Sequence, residues 1–331
     1  MRLAASDGRA CLVVEGGVVE LGASGHPDDP MACLARWDEL AAWAAATDPA
    51  PTGPLEEARL TCPVPRPTQV FAIGLNYRAH CEETGAEVPT VPLTFTKFPS
   101  CLAGPRDDVV LVPGSVDWEV ELVLVVGAGC TVGQDVSERQ LQKAGRPPQF
   151  SLAKSHRGFG PIGPWVTDEV DPGDLAISCA LNGEVVQTSR TSDMVFGPAE
   201  LLAHLGAVCD LRPGDLVFTG TPSGVGMGRT PPRYLQPGDV LVSTIEHVGT
   251  MVNRCRAPAP LSADTAIDNL LALLDNDERT IIELRFLDPS RRPASLDEVA
   301  TTLGLSRERV QEIEESAMSK LAGSRPGRPL P

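Results

Sequence analysis

The sequence predicts a mainly β protein of the α+β class: a mixed β-sheet body with a small N-terminal domain, followed by an all-α C-terminal domain. Three observations carry this. Glycine and proline stand at 31 each in 331 residues, a richness in turn formers that suits many short strands. The stretch Val116-Asp117-Trp118-Glu119-Val120-Glu121-Leu122-Val123-Leu124-Val125-Val126-Gly127 reads as one central strand. After Pro258-Ala259-Pro260 the pattern changes to helix.

Taken in order, Ala10 to Val14 and Val18 to Leu21 are two short strands about the Glu15-Gly16-Gly17 turn, and the Ala-rich residues 34–46 are helical. Domain one is expected over 1–62, ending at Pro63-Val64-Pro65-Arg66-Pro67, where proline rings stop a helix or a central strand. Phe71 to Leu75 is a strand and Asn76 to Gly85 a short helix. His80 and Glu83 lie three apart on that helix, within reach of each other. Such a pair holds an imidazole in one tautomer and lets it accept a proton near neutral pH, although a surface pair has the same spacing.

In the central strand, side-chain alternation sends Glu119 and Glu121 to one face and Trp118, Val120 and Leu122 to the other. Two carboxylates on an apolar strand repel each other and lose hydration, and a hard divalent ion such as Mg²⁺ relieves both costs. Two solvated glutamates are the alternative. Further on, Asn182-Gly183 forms a hairpin turn between strands at 175–180 and 185–187, and 199–205 is helical. Pro213-Gly214-Asp215 and Pro237-Gly238-Asp239 each turn the chain into an apolar strand. Between them, Thr219 to Gly226 is a glycine-rich loop that lets backbone approach a small anion, with Thr221 its best side-chain donor.

These motifs, in this order, resemble the fumarylacetoacetate hydrolase family over about residues 64–256. The family's Glu-x-Glu metal pair matches Glu119 and Glu121. Its Asn-Asp-Val-Ser-x-Arg-x-x-Gln motif matches Gln134 to Gln142, which makes Asp135 the third metal acid. Lys154-Ser155 matches the active-site Lys-Ser, Gly163-Pro164 the nearby Gly-Pro, and Gly74 to Glu83 the lid segment with its catalytic His and Glu. The resemblance implies a mixed β-sheet catalytic domain over 63–258, with His80, Glu83 and Lys154 catalytic. It places Tyr77, Lys97, Arg139, Gln142, Gly220 and Thr221 at the substrate, with Mg²⁺ or Mn²⁺ held by Glu119, Glu121 and Asp135.

Two departures stand out. The family's connecting segment with its helix is missing, since only Gly127 to Gly133 lies between Val126 and Gln134; thirteen residues still let Glu121 and Asp135 meet. The usual Lys-Ser-Phe-Asp reads Lys154-Ser155-His156-Arg157, so Arg157 is expected either to bind a substrate carboxylate or to be a surface replacement.

The C-terminal stretch resembles sigma-70 region 4 over about 266–322, within a domain expected over 265–322 and before a flexible tail at 323–331. Ser295 and Ser306 are helix caps, with Glu298 at the capping-box position. The resemblance nominates Arg307, Arg309 and Gln311 as DNA-facing. Charge argues otherwise: from Thr265 on, nine Arg or Lys face twelve Asp or Glu, a net of -3, so protein contact is expected ahead of DNA.

A net charge of -16 disfavours nonspecific binding to nucleic acid or anionic membrane. Nine cysteines with no Cys-x-x-Cys spacing point to a reduced, cytoplasmic setting, and the family habit to a homodimer. The expected activity is Mg²⁺-dependent hydrolysis of a carbon–carbon bond in an acylpyruvate-type β-diketo acid. The alternatives are an oxaloacetate-type 2-oxo acid decarboxylase or isomerase, and a DNA-binding regulator that keeps the metal fold as a ligand sensor.

Overall fold

The computed structural model describes residues 1–259, 267, 270–287 and 293–323, in two compact units, Met1–Pro258 and Ala259–Pro331. The tail expected at 323–331 lies, beyond Gly323, outside the described residues. The strands of the first unit are β1 Arg2–Ser6, β2 Arg9–Val14, β3 Gly17–Glu20, β4 Leu60–Thr61, β5 Val70–Gly74, β6 Leu93–Thr96, β7 Leu102–Ala103, β8 Val109–Val110 and β9 Val116–Asp117. They continue with β10 Val120–Val125, β11 Gly129–Gln134, β12 Ser137–Glu138, β13 Gly160–Thr167, β14 Ala176–Leu181, β15 Glu184–Arg190, β16 Leu216–Phe218, β17 Val240–Ile245 and β18 Gly249–Arg256. Its helices are α1 Pro30–Leu34, α2 Trp37–Thr47, α3 Arg78–Thr84, α4 Arg139–Gln142, α5 Phe150–Ala153 and α6 Pro198–Gly206.

One sheet runs β3-β2-β1-β13-β11-β10-β16-β5-β6, with β4 beside β1 and β7 beside β13; a second runs β15-β14-β17-β18-β8, and β12 pairs with β9. The first 62 residues thus extend the large sheet, since β1 lies antiparallel to β13 with Leu3 opposite Val166. Asn182 and Gly183 both take positive φ, 53° and 86°, as the hairpin between β14 and β15 requires.

Strand β10 lies between β11 and β16 and is buried along its whole length. Trp118, Val120, Leu122 and Leu124 pack in the cluster that contains Ile177, Cys179 and Leu241. Val123 and Val125 pack on the opposite side with Leu3, Ile162 and Phe218. Period-two alternation therefore holds across two cores, and an L122A change here would cost about 2–5 kcal/mol.

The missing connector is resolved by a hairpin. Residues 129–134 are themselves strand β11, antiparallel to β10 with Val120 opposite Gln134 and Val125 opposite Gly129. Gly127 and Gly129 turn the chain at φ 76° and 110°, and a Cβ on Gly129 would stand 2.1 Å from the Thr167 carbonyl oxygen. The short route carries Asp135 directly back to Glu119, whose carbonyl accepts its N–H at 2.9 Å.

The second unit is helical: α7 Asn276–Phe286, α8 Leu296–Leu303 and α9 Arg307–Gly323. Ser295 and Glu298 form the expected capping box, and Ser306 Oγ accepts from the Arg309 N–H at 3.2 Å. Ile281 packs with Val299, Val310 and Ile313, and Ile282 with Leu271 and Ala317. Helical spacing puts Leu284 and Phe286 on one broad face with Ile281 and Ile282, yet they are 37% and 47% exposed. Among the described residues, no helix is long and apolar enough to cross a membrane.

Candidate metal centre and active site

The site is built where β9 ends and β10 begins. Two-residue β9 pairs with β12, the chain leaves strand geometry at Trp118 and Glu119, and Glu121 lies inside β10. Gln134 fixes the crossing, accepting the Glu119 N–H at 2.9 Å on its side-chain oxygen and donating to Ser243 Oγ at 2.9 Å. Glu119, Glu121 and Asp135 are buried and offer one ligand atom each within 4.8 Å of one another, the arrangement the sequence anticipates.

Three cations compensate these acids. Lys154, just after α5, donates to Glu119 Oε2 at 2.6 Å, Asp135 Oδ2 at 2.7 Å and Ser137 Oγ at 2.7 Å, which occupies all three of its N–H groups. Lys97 donates to Asp135 Oδ1 at 2.6 Å, to the Phe159 carbonyl at 3.2 Å and to the Lys154 carbonyl. Arg139 donates from Nε to Asp117 Oδ2 at 2.9 Å and from Nη1 to Gln142 Oε1 at 2.9 Å, with Nη2 paired to Glu119 Oε1 at 2.7 Å. Among the described residues, Glu121 receives only the Gly220 N–H, at 2.8 Å.

That unequal support appears in the acidities. Burial raises the Glu119 carboxyl, but Lys154 and Arg139 outweigh it and hold the group down to about 2. Burial, then repulsion from Asp135 and Glu119, pushes Glu121 well above the carboxylate range. Burial opposes the charge on Lys154, yet Asp135 and Glu119 raise it above its usual value. Counting Asp117, Glu119, Glu121 and Asp135 against Lys97, Arg139 and Lys154 leaves one negative charge unbalanced, and it falls on Glu121. Three converging carboxylate oxygens and one uncompensated charge fit a hard divalent cation such as Mg²⁺ or Mn²⁺, and the cluster can chelate one.

Helix α3 carries His80 and Glu83. His80 Nδ1 lies 3.1 Å from Glu83 Oε2, while Glu83 Oε1 accepts the Gly224 N–H at 2.9 Å. His80 and the three acids line one cavity of about 270 Å³, whose apolar wall includes Ile73, Phe95, Phe150 and Met227. Arg139, Gln142, Lys154 and Thr221 also reach it. A larger groove of about 660 Å³ beside Met1, Leu12 and Ala44 has no such ligand cluster, so volume alone does not find the chemistry.

The remaining expected site residues are committed to other partners or lie outside the cavity wall. Thr221 spends its hydroxyl proton on the Val120 carbonyl at 2.9 Å and accepts from Gln187, and Gly220 faces a metal acid through its N–H. Tyr77 is buried and outside the cavity wall, its hydroxyl without a hydrogen-bond partner among the described residues; burial, then Glu121, pushes its pKa up. Arg157 is exposed and outside the wall. Sequence reasoning passed over Asp117, although it stands two residues before Glu119, where alternation puts a third acid on the same face. In the helical unit, Arg309 pairs with Glu312 at 2.9 Å, Gln311 donates to Glu315 at 2.9 Å, and Arg307 lies 3.8 Å from Asp297.

Comparison with known proteins places two family models on the chain: fumarylacetoacetate hydrolase, C-terminal, over residues 69–256, and sigma-70, region 4, over residues 270–322. The mitochondrial oxaloacetate tautomerase FAHD2A of Bos taurus is 40% identical over 224 residues, 62% of this chain and 71% of its own. A solved structure from Mycobacterium smegmatis is 47% identical with TM-score 0.74, covering 78% of this chain and 100% of its own. Maleylpyruvate hydrolase from Sphingobium sp. SYK-6, solved with manganese(II) and pyruvate, is 29% identical with TM-score 0.65, over 78% and 100%.

Proposed function

Because the chain belongs to the fumarylacetoacetate hydrolase family, metal-dependent enzymes acting on keto and diketo acids, we propose that it is a tautomerase of a small oxaloacetate-type 2-oxo acid. The observation that carries this is that His80, backed by Glu83, lines one cavity with the acid triad. Such a site needs only a base and a polarised carbonyl to move a proton between carbon and oxygen. Oxaloacetate tautomerases among the relatives at 40–41% identity favour this over carbon–carbon hydrolysis.

A divalent ion held by Glu119, Glu121 and Asp135 supplies Lewis-acid polarisation of the 2-oxo group and charge for the substrate carboxylate. With it, and with Glu121 ionised, the four acids and three cations of the cluster carry one positive charge, which suits an anionic substrate. His80, its Nδ1 held by Glu83, uses Nε2 to take the proton from the carbon beside the carbonyl and returns it in the reverse direction. Solvent supplies the proton that the new enol oxygen receives. Lys154 donates to Glu119 and Asp135 and, with Arg139, holds the Glu119 carboxyl down, a different task from the catalytic role that the family resemblance gives it. Phe95, Phe150 and Met227 shield the reacting carbon from bulk water.

The paired state of Arg307, Arg309 and Gln311 supports protein contact for the helical unit ahead of DNA recognition. A homodimer in the cytoplasm completes this reading.

The test follows the decay of enolic oxaloacetate by ultraviolet absorbance with Mg²⁺ or Mn²⁺, beside pyruvate release from an acylpyruvate. H80N should slow tautomerisation by about 10²–10⁴-fold while leaving metal affinity intact. Pyruvate release by the wild type at a higher kcat/KM than tautomerisation would return the site to the hydrolase reading.

A further inference from the structure

Asp117 is fully buried and outside the cavity wall, yet its carboxylate is saturated. Oδ1 accepts the Trp118 N–H at 2.9 Å and the Gly226 N–H at 2.7 Å. Oδ2 accepts the Met227 N–H at 3.0 Å and Arg139 Nε at 2.9 Å. Four donors on four acceptor positions leave no capacity for a ligand, so whatever Asp117 does, it does through its neighbours.

Two of those neighbours, Gly226 and Met227, belong to one loop. Along residues 219–228, the Gly220 N–H goes to Glu121, the Gly224 N–H to Glu83, and the Gly226 and Met227 N–H groups to Asp117. Two of the three carboxylates already have roles, one at the metal site and one behind the base. The loop fits tightly at Asp117 and at Glu83. A Cβ on Gly226 would stand 1.8 Å from the Arg233 carbonyl oxygen and 2.7 Å from Asp117 Oδ1, and one on Gly228 would stand 2.5 Å from Glu83 Cγ. The Gly224 N–H, and with it the Glu83 carboxylate, is thus tied to the Asp117 end of the loop, while Trp118 Nε1 donates to the Gly224 carbonyl at 3.1 Å.

We propose that Asp117 is a positioning residue for the base His80: through the Gly224–Met227 segment it presents the Gly224 N–H to Glu83, which holds the imidazole. The chain of contact is Asp117 to Gly226 and Met227, along two residues of backbone to Gly224, to Glu83 Oε1, and from Oε2 to His80 Nδ1. Asp117→Asn breaks it selectively. One carboxylate oxygen becomes an NH₂ donor facing N–H donors, and the loop or Arg139 must yield.

The experiment uses the full Mg²⁺-loaded chain and compares wild type, D117N, E83Q and the double variant. The ¹⁵N shifts of the His80 ring report which nitrogen carries the proton, and kcat and KM are taken for oxaloacetate tautomerisation. D117N should move His80 toward mixed tautomers, as E83Q does, and lower kcat about tenfold with KM within about twofold; the double variant should match E83Q. Unchanged His80 shifts in D117N, or fully additive losses, overturn the proposal. If D117N does not fold, M227P removes one N–H donor to Asp117 at a position where proline's φ suits the 3-10 turn, and M227A controls for the side chain. The same shifts then decide: a His80 response in M227P beyond that of M227A supports the proposal, and an equal response overturns it. The kinetic arm rests on the tautomerase reading; the spectroscopic arm does not, so a wild type without turnover rejects that reading and leaves this one decidable.

Discussion

Replacing Glu121 by glutamine separates a metal ligand from an ordinary buried acid, because the two have opposite signs in the metal-free protein. Two carboxylate charges no more than 4.8 Å apart at an effective dielectric near 20 repel by at least roughly 3 kcal/mol. Glu121 faces two such neighbours with a single N–H as support. The wild type relieves this by keeping a proton on Glu121 in the folded state. Its folded pKa lies above the ordinary 4.5, so the unfolded chain releases that proton first, and metal-free stability falls as pH rises from about 4.5 to the folded pKa. E121Q removes this slope. It should match metal-free wild type within about 1 kcal/mol at pH 6 and exceed it at higher pH, whereas losing a well-paired buried carboxylate costs about 1–3 kcal/mol. Metal reverses the order. At one hundred times Kd the wild type gains about 2.7 kcal/mol, or roughly 5–10 °C in Tm, and E121Q should gain almost nothing. Thermal unfolding of the chelator-treated chain with and without Mn²⁺, beside calorimetric titration, measures both. A metal-free E121Q that is clearly destabilised at pH 6 and retains a wild-type Mn²⁺ shift would refute the assignment.

The same proton makes metal affinity pH-dependent: calorimetry in buffers of different ionisation enthalpy should show a proton released on binding and tighter binding as pH rises toward the folded pKa of Glu121. G220A places a side chain at φ 96° with its Cβ 2.8 Å from Asn76 Cβ, and should cost about 1–3 kcal/mol in chemical denaturation while weakening Mn²⁺ binding through the disturbed N–H to Glu121. Incubation of the full chain with a randomised duplex pool at low and physiological salt should enrich no sequence. Enrichment that survives competitor DNA and is lost in R309A would make DNA recognition the leading account of the helical unit.

The helical unit shows how a sequence pattern and a surface can point in different directions. Its caps were legible because they depend on three or four consecutive residues, and Ser295 with Glu298 closes as expected. The exposure of Leu284 and Phe286 was not, because helical spacing gives the width of an apolar face without saying how much of it neighbouring helices cover. Exposed ion pairs such as Arg309 with Glu312 are individually weak. Together with the acids around them, they still leave a poor surface for phosphate.

By itself the sequence determined strand β10, the facing of Glu119 and Glu121, the His80–Glu83 spacing and the turns at Asn182-Gly183 and before β16 and β17, all local consequences of period and turn chemistry, although the one strand read over 116–127 is interrupted at Trp118 and Glu119. It also determined that Asp135 could reach the pair, since chain length alone allows it. Only the tertiary structure decided how. The glycines at 127 and 129 fold the short connector into a hairpin that lays Asp135 against Glu119. Which cation answers which acid was equally invisible: Lys97, Lys154 and Arg139 come from separate segments and meet at Glu119 and Asp135, leaving Glu121 uncompensated. Asp117 gives the sharpest contrast. Strand alternation sets it beside the metal acids, but the chain leaves β9 at residue 117, and the carboxylate turns to backbone donors of a loop more than one hundred residues away. Spacing along a chain fixes which face a side chain takes within one element; where that element ends, and what closes over it, is set by long-range packing.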